Sequence, residues 1–365
     1  MNASHRSAAA DQNRSLCCVA RIPRLRALAW DGGVLYASRG YELLQAHIRE
    51  ASTVTWKSAG SFHAGWKRRL SASNRLSARL LRDGFHALAV LPAGGLVSAV
   101  PGSIITLRPG ETEFRQTYAI TRGTRPLHIT AVPDGTVYWG DYFDNPSRDE
   151  VHIYASSDKG ATWSVAYIFP RRAIRHVHNI VHDQWQNCLW ILTGDYGDEC
   201  RILRATCDLS RVESVLQGQQ QARAVAAIPT EDGLYFSSDT PLEQNYIYRL
   251  DREGKLSQLA SISSSSIYGC RAGSNLFFST MVEPSAVNRD RTVRVYAADS
   301  RTPDRWQAQL EWKKDPWPMG LFQYGNAFLP DGNNSTPYLA VTTVAVTRDD
   351  MVTSLYSFIV SSGER

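Results

Sequence analysis

Residues 175–184 read RHVHNIVHDQ, with histidines at 176, 178 and 182. In an extended chain His176 and His178 project to one face. Two imidazoles so placed suit a first-row metal or proton transfer near neutral pH. His182 lies at the far end of the run, where an earlier copy of the pattern has Val132, and reads as a structural histidine. That earlier copy is RPLH (125–128) followed by GDY (140–142), matching RHVH (175–178) followed by GDY (194–196). Each copy offers Arg, His, Asp and Tyr. A guanidinium grips a carboxylate through parallel hydrogen bonds, while His and Tyr exchange protons. The pattern assigns catalysis to His178, His176, His128, Tyr142 and Tyr196. It assigns substrate binding to Arg125, Arg175, Arg223, Asp141, Asp195, Glu243 and Tyr268. A divalent metal held by His128, His176 and His178 is another use of the same side chains; nothing else in the chain asks for a cofactor. The plain alternative is repeat ancestry, with these residues kept for structural hydrogen bonds.

Strands must position these groups. Helical periodicity is nearly absent, and short runs rich in Val, Ile, Tyr, Phe and Trp alternate with Gly, Asp, Asn and Pro turns. That is the pattern of many short strands. One unit recurs: an apolar strand, a tight turn and a returning apolar strand. Its copies begin at Arg26 (RALAWDGGVLYASRG), His86, His128, His178, Arg223, Ile267 and Gly325. Their spacing of about 40 to 60 residues is the range of propeller blades. The expected fold class is therefore all-β, a seven-bladed β-propeller, with six blades as the alternative count. The domain plan is a disordered tail over 1–14 and a single propeller over 15–365. A strand near Cys17 closes the ring by completing a three-stranded last blade, since closure removes exposed sheet edges. The long basic segment 57–82 fits the repeat least well.

In such a fold, the loops leading into the innermost strands share one rim with the loops joining second and third strands. Those loops hold the unusual polar residues, whereas the opposite turns (PAGG, PDGT, TEDG, PDGN, DREG) are plain. Loops on a rigid scaffold carry function, so the expected site lies on the first rim.

The net charge of +5 is spread along the chain with no long basic run and no known nucleic-acid module, which argues against nucleic acid and is compatible with an acidic ligand. No apolar run is long enough to span a membrane and the start lacks an apolar leader. The expectation is a cytoplasmic protein with no membrane partner. Its six cysteines then stay reduced, and without a CxxC pair they make no zinc site.

Between 157 and 163 the chain reads SDKGATW, which resembles the Asp-box, S-x-D-x-G-x-T-W, of the sialidase-like and BNR-repeat propellers. The resemblance implies a structural turn between the third and fourth strands of a blade, on the face away from the site. A strand bearing Arg21-Ile22-Pro23 is similar to that family's N-terminal arginine strand, which would make Arg21 a carboxylate ligand. The family's sialidases use three arginines for the substrate carboxylate, a part that Arg125, Arg175 and Arg223 would take. Uronate lyases with propeller folds instead use His or Tyr as base and acid, with Arg or a metal on the carboxylate. The expected function is thus a carbohydrate-active enzyme, a uronate lyase or sialidase-like glycoside hydrolase, cleaving a glycosidic bond next to an acidic sugar in an oligosaccharide or polysaccharide. The alternative is a non-catalytic propeller scaffold or binding protein with a protein partner, such as an accessory factor of polysaccharide metabolism. A third class is a lactonase-type propeller with its metal on Asp141, Asp195, Asp239 and Glu283.

Overall fold

The computed structural model describes residues 14–50, 53–92 and 94–360, so residues 1–13 of the expected tail lie outside it. Seven antiparallel sheets are arranged as a β-propeller. Blade 1 runs through Arg26–Gly32, Val34–Arg39, Glu42–His47 and Lys57–Ser61, and blades 2 to 6 repeat the same up-and-down order. Blade 7 takes three strands from the C-terminal part of the chain, Asn326–Phe328, Tyr338–Val344 and Val352–Val360. Its fourth is Arg14–Pro23, antiparallel to Val352–Val360 with a bulge between Cys18 and Ala20.

Burial explains the sequence pattern. Second strands such as Leu96–Val100, Cys188–Thr193 and Gly233–Ser238 are buried along their whole length, because a blade packs on each side of them. They therefore read as continuous apolar runs rather than alternating ones. The outermost strands, such as Val212–Gln217, keep much of their surface in solvent and stay polar. Apolar clusters sit between successive blades; one joins Val97, Ala99 and Ile104 of blade 2 to Val137, Trp139 and Tyr154 of blade 3.

The SDKGATW turn clamps that same seam. Asp158 accepts from the Ala161 and Thr162 amides and the Thr162 hydroxyl, and Ser156 supplies the hydroxyl that meets the Gly160 amide. Gly160 has φ 83°, and a Cβ there would stand 2.6 Å from Val97 Cγ2, so only glycine lets the turn lie this close to blade 2. Trp163 is half-buried against Trp139 and donates to Thr117 Oγ1 of blade 2.

The segment that fitted the repeat least is partly helical. After Ser61 the chain forms α1 (Trp66–Ser73) and α2 (Arg75–Leu81) before joining blade 2. Asn74 caps α2, accepting from the Leu76 amide, and Arg82 ends it with a left-handed φ of 54°. Arg79, fully buried, ties this insert to blade 7 and the connection that leads into it through Asp315, Asp350 and the Phe322 carbonyl beside α3 (Met319–Phe322). A second departure is PDGN: Asp331–Asn334 is a strand running parallel to Arg26–Gly32, not a plain far-side turn. All six cysteines are free thiols, and among the described residues no helix is long and apolar enough to cross a membrane.

Candidate active site

One cavity of about 930 Å³ opens on the rim where the innermost strands begin. Several of these strands start with a bulge against the second strand: between Ala27 and Ala29, Val177 and Asn179, Ala224 and Ala227, and Ser266 and Tyr268. A bulge breaks the strict in-and-out alternation and re-aims side chains. His178 sits in one of these bulges and lines the cavity.

The wall made by blades 3 to 6 carries Tyr142, His178, Asp195, Arg223, Asp239 and Glu283. His178 Nδ1 is 2.9 Å from the Ala224 carbonyl, and His176 Nδ1 is 3.2 Å from the Phe143 carbonyl. The two Nε2 atoms face each other at 3.0 Å, with Asp195 Oδ1 at 3.5 Å from His178 and 3.7 Å from His176. Asp195 also meets Arg175 at 3.1 Å and Arg223 at 3.4 Å. Burial works to raise Asp195, but the two imidazoles beside it hold it below the usual carboxylate range. Asp239 behaves in the opposite way. Burial pushes it up to about 7 against the pull of Arg223, and Glu283 adds to the rise. Tyr142, its ring 4.4 Å from that of His176, is raised to about 12 by burial and by Asp195, so it is a proton donor at neutral pH.

The opposite wall is basic. Arg26, Arg82, His86 and Arg125 line it, with Tyr268 between the two walls in the ring order. Arg125 donates to the Arg82 carbonyl at 3.1 Å, and Arg26 approaches His86 Nδ1 at 3.4 Å while stacking over Phe328 at 4.2 Å. Among the described residues, no carboxylate lies within ion-pair distance of Arg26, Arg82 or Arg125. Burial and the neighbouring Arg26 and Arg82 lower Arg125 to about 10. Burial first, then Arg125 and Arg26, push His86 well below its ordinary value, so it is neutral at pH 7. Tyr268 is raised to about 12 by burial.

Of the residues expected from sequence, the cavity gathers His178, Tyr142, Arg125, Arg223, Asp195 and Tyr268. The others stand elsewhere. His176 lies behind His178. His128 does not join the other two histidines, because Asp331 holds its Nδ1 at 2.9 Å deeper in the channel. The expected three-histidine metal set is thereby split, and Asp195 takes the third place. Arg175 turns outward to Asp144 and Asp195, which corrects its place in the arginine trio. Asp141 pairs with Arg122 and accepts from the His152 amide, which also removes it from the four-carboxylate set of a lactonase-type site. Tyr196 is exposed beneath the Arg223 guanidinium, and Glu243 is exposed away from the cavity. Arg21 pairs with Asp349 outside the cavity. Arg26 was absent from the expected set, and Arg82 and His86 stood among the strand-entry residues of the expected rim without an assigned role. Their signal in the sequence was position alone, each standing at or near the start of an innermost strand.

No family model matches the chain, and no curated protein matches it. Among solved structures it is similar to a catalytically inactive virginiamycin B lyase from Staphylococcus aureus with quinupristin. That likeness has 12% identity over 95% of this chain and 100% of the other, with a TM-score of 0.58. It is also similar to the WD40 propeller domain of Doa1, at 10% identity, 94% and 96% coverage and a TM-score of 0.53. A puromycin hydrolase mutant is 15% identical over 90% of this chain and 51% of its own, with a TM-score of 0.55. At these identities the likeness is one of fold: a seven-bladed propeller, on which lyase, hydrolase and scaffold proteins all occur.

Proposed function

We propose that the protein is a carbohydrate-active enzyme that cleaves a glycosidic bond next to an acidic sugar, by elimination across a uronate. One observation carries this reading: Arg26, Arg82 and Arg125 converge on one cavity, and among the described residues no carboxylate comes within ion-pair distance of them. Arg26 and Arg125 are part-buried and Arg82 is exposed; like charges drawn even partly out of water are costly unless a counter-charge arrives, and a planar carboxylate matches the guanidinium fork. A carboxylate bound there has its α carbon near His86. A neutral imidazole beside arginines is a suitable base, because the same positive field stabilises the charge that develops on the carboxylate. The bound carboxylate competes for the Arg26 N–H that now points at His86 Nδ1, freeing that nitrogen. His86 takes the α proton, the C–O bond to the leaving sugar breaks as C=C forms, and Tyr142 or Tyr268 gives its phenolic proton to the leaving oxygen. The phenol is restored by the proton held on His86, relayed through water. This moves the base from His178, whose Nδ1 is taken by the Ala224 carbonyl and whose Nε2 faces His176 behind the wall.

A second reading, hydrolysis, is favoured by Asp239, a carboxyl held near pH 7 as a general acid needs. Incubation with uronate- and sialate-containing oligosaccharides separates the readings. An unsaturated product absorbing in the ultraviolet supports elimination, and a saturated reducing sugar supports hydrolysis. Absence of turnover with every acidic substrate would leave a binding protein, for which Trp66, Leu70 and Leu321, exposed beside the cavity mouth, offer a partner surface.

A further inference from the structure

We propose that His176, His178 and Asp195 hold a divalent first-row metal ion whose open positions face the cavity. The argument begins with protons. A carbonyl oxygen only accepts, so the carbonyls of Phe143 and Ala224 fix the hydrogen of each imidazole on Nδ1. In the neutral rings both Nε2 atoms then carry bare lone pairs, and these face each other at 3.0 Å. Two lone pairs at that distance repel unless a cation lies between them. Asp195 Oδ1, at 3.5 and 3.7 Å, closes the third side. Atoms bonded to one ion at about 2.0–2.2 Å stand roughly 3–4 Å from one another, the separations found here.

The surroundings fit a ligand set. Backbone carbonyls orient both rings through their outer nitrogens, as metal-bound histidines are usually oriented. Arg175 holds the other carboxylate oxygen, Oδ2, at 3.1 Å, which directs Oδ1 toward the imidazoles; Arg223 stands 3.4 Å from that same Oδ1. Asp239 and Glu283 line the same wall, and Asp239 Oδ1 is buried with no hydrogen-bond partner. Two nitrogens and one oxygen suit zinc, manganese, cobalt or ferrous iron better than magnesium or calcium. His176 lies behind the wall while His178 and Asp195 line the cavity, so the free coordination positions point at bound ligand. This inference does not depend on the sugar chemistry above.

The test uses the full chain, stripped with a chelator and titrated with Zn²⁺ by calorimetry and with Co²⁺ by visible absorption. One equivalent should bind, raise the melting temperature and give a cobalt spectrum with nitrogen ligation. His176→Gln and His178→Gln, each checked for a cooperative melt, should lose affinity by at least about 10²-fold. His128→Gln should bind as wild type does. Failure of the folded wild-type chain to bind either ion would overturn the proposal, whatever the variants do. So would undiminished binding in a folded double variant. A single proton shared between the two Nε2 atoms and unmoved by metal, seen by nitrogen NMR, would overturn it as well.

Discussion

In blade 3, Arg125 and Tyr142 face the cavity, while His128 turns to Asp331 and Asp141 to Arg122. In blade 4 the assignment inverts: His178 and Asp195 face the cavity, Arg175 is taken by Asp144 and Asp195, and Tyr196 lies out on the rim. The two blades share the pattern R-x-x-H followed by GDY. What separates them is the partner that neighbouring segments supply. Asp331 arrives on a strand beside blade 1, Arg122 from the end of blade 2, and Asp144 from blade 3's own loop. A side chain drawn away to a partner outside the cavity is withdrawn from its chemistry, and one that keeps an atom turned into the cavity, as Asp195 keeps Oδ1, is available to a ligand.

Matched substitutions in the two blades test this contrast. Arg125→Met should weaken binding of an acidic ligand by about 10²-fold, the worth of a charge-assisted hydrogen bond. Its melting temperature should hold or rise, because Arg125 sits against Arg26 and Arg82 with no carboxylate. Arg175→Met should do the reverse, leaving affinity within about threefold and costing about 2 kcal/mol, since Asp195 loses a partner in a buried network. Equal behaviour of the two variants in paired titrations and melts would remove the distinction. Tyr142→Phe should lower turnover by about 10²-fold, the scale of a lost proton donor, and Tyr196→Phe by less than about twofold.

The two walls also predict opposite pH slopes. An unfolded histidine titrates near its ordinary value of 6.5, and folded His86 lies well below it. Above that value both states are neutral. As pH falls through it, the unfolded chain gains a proton that the native protein refuses, so stability declines. Asp239, raised to about 7, gives the other sign: the native carboxyl keeps its proton where the unfolded one has lost it, so stability declines as pH rises toward 7. His86→Gln should flatten the acid slope and Asp239→Asn the neutral one, in melts recorded across pH. The smallest effect is expected from Trp163→Ala on blade 3's far-side turn. About 2 kcal/mol should be lost, below the full cost of a buried tryptophan because the ring is half-exposed, with ligand affinity unchanged.

The ring was legible because each blade repeats one strand pair, and buried second strands leave unbroken apolar runs such as CLWILT. The helices α1 and α2 were not, since WKRRLSAS and RLSARLL are short and leave Trp66, Leu70 and Leu81 exposed, with no apolar face to mark them. His178, Asp195, Tyr142, Arg125, Arg223 and Tyr268 could be placed because the topology brings strand starts to one rim. The destinations of His128, Asp141 and Arg175 could not, because their partners are far away in the sequence or lie in loops; Asp331 is more than two hundred positions from His128. Arg26 and Arg82 carry no motif, and only the folded ring shows that no carboxylate among the described residues comes within ion-pair distance of them.

The central claim is that the unpaired arginine wall receives an acid group. Calorimetric titration of the protein with a uronate oligosaccharide, beside the same oligosaccharide with its carboxyl groups reduced to alcohols, tests it most directly. The acidic form should bind, with affinity falling as salt is raised, and the reduced form should not. Equal binding of both forms, or binding of the acidic form that survives Arg125→Met undiminished, would contradict it.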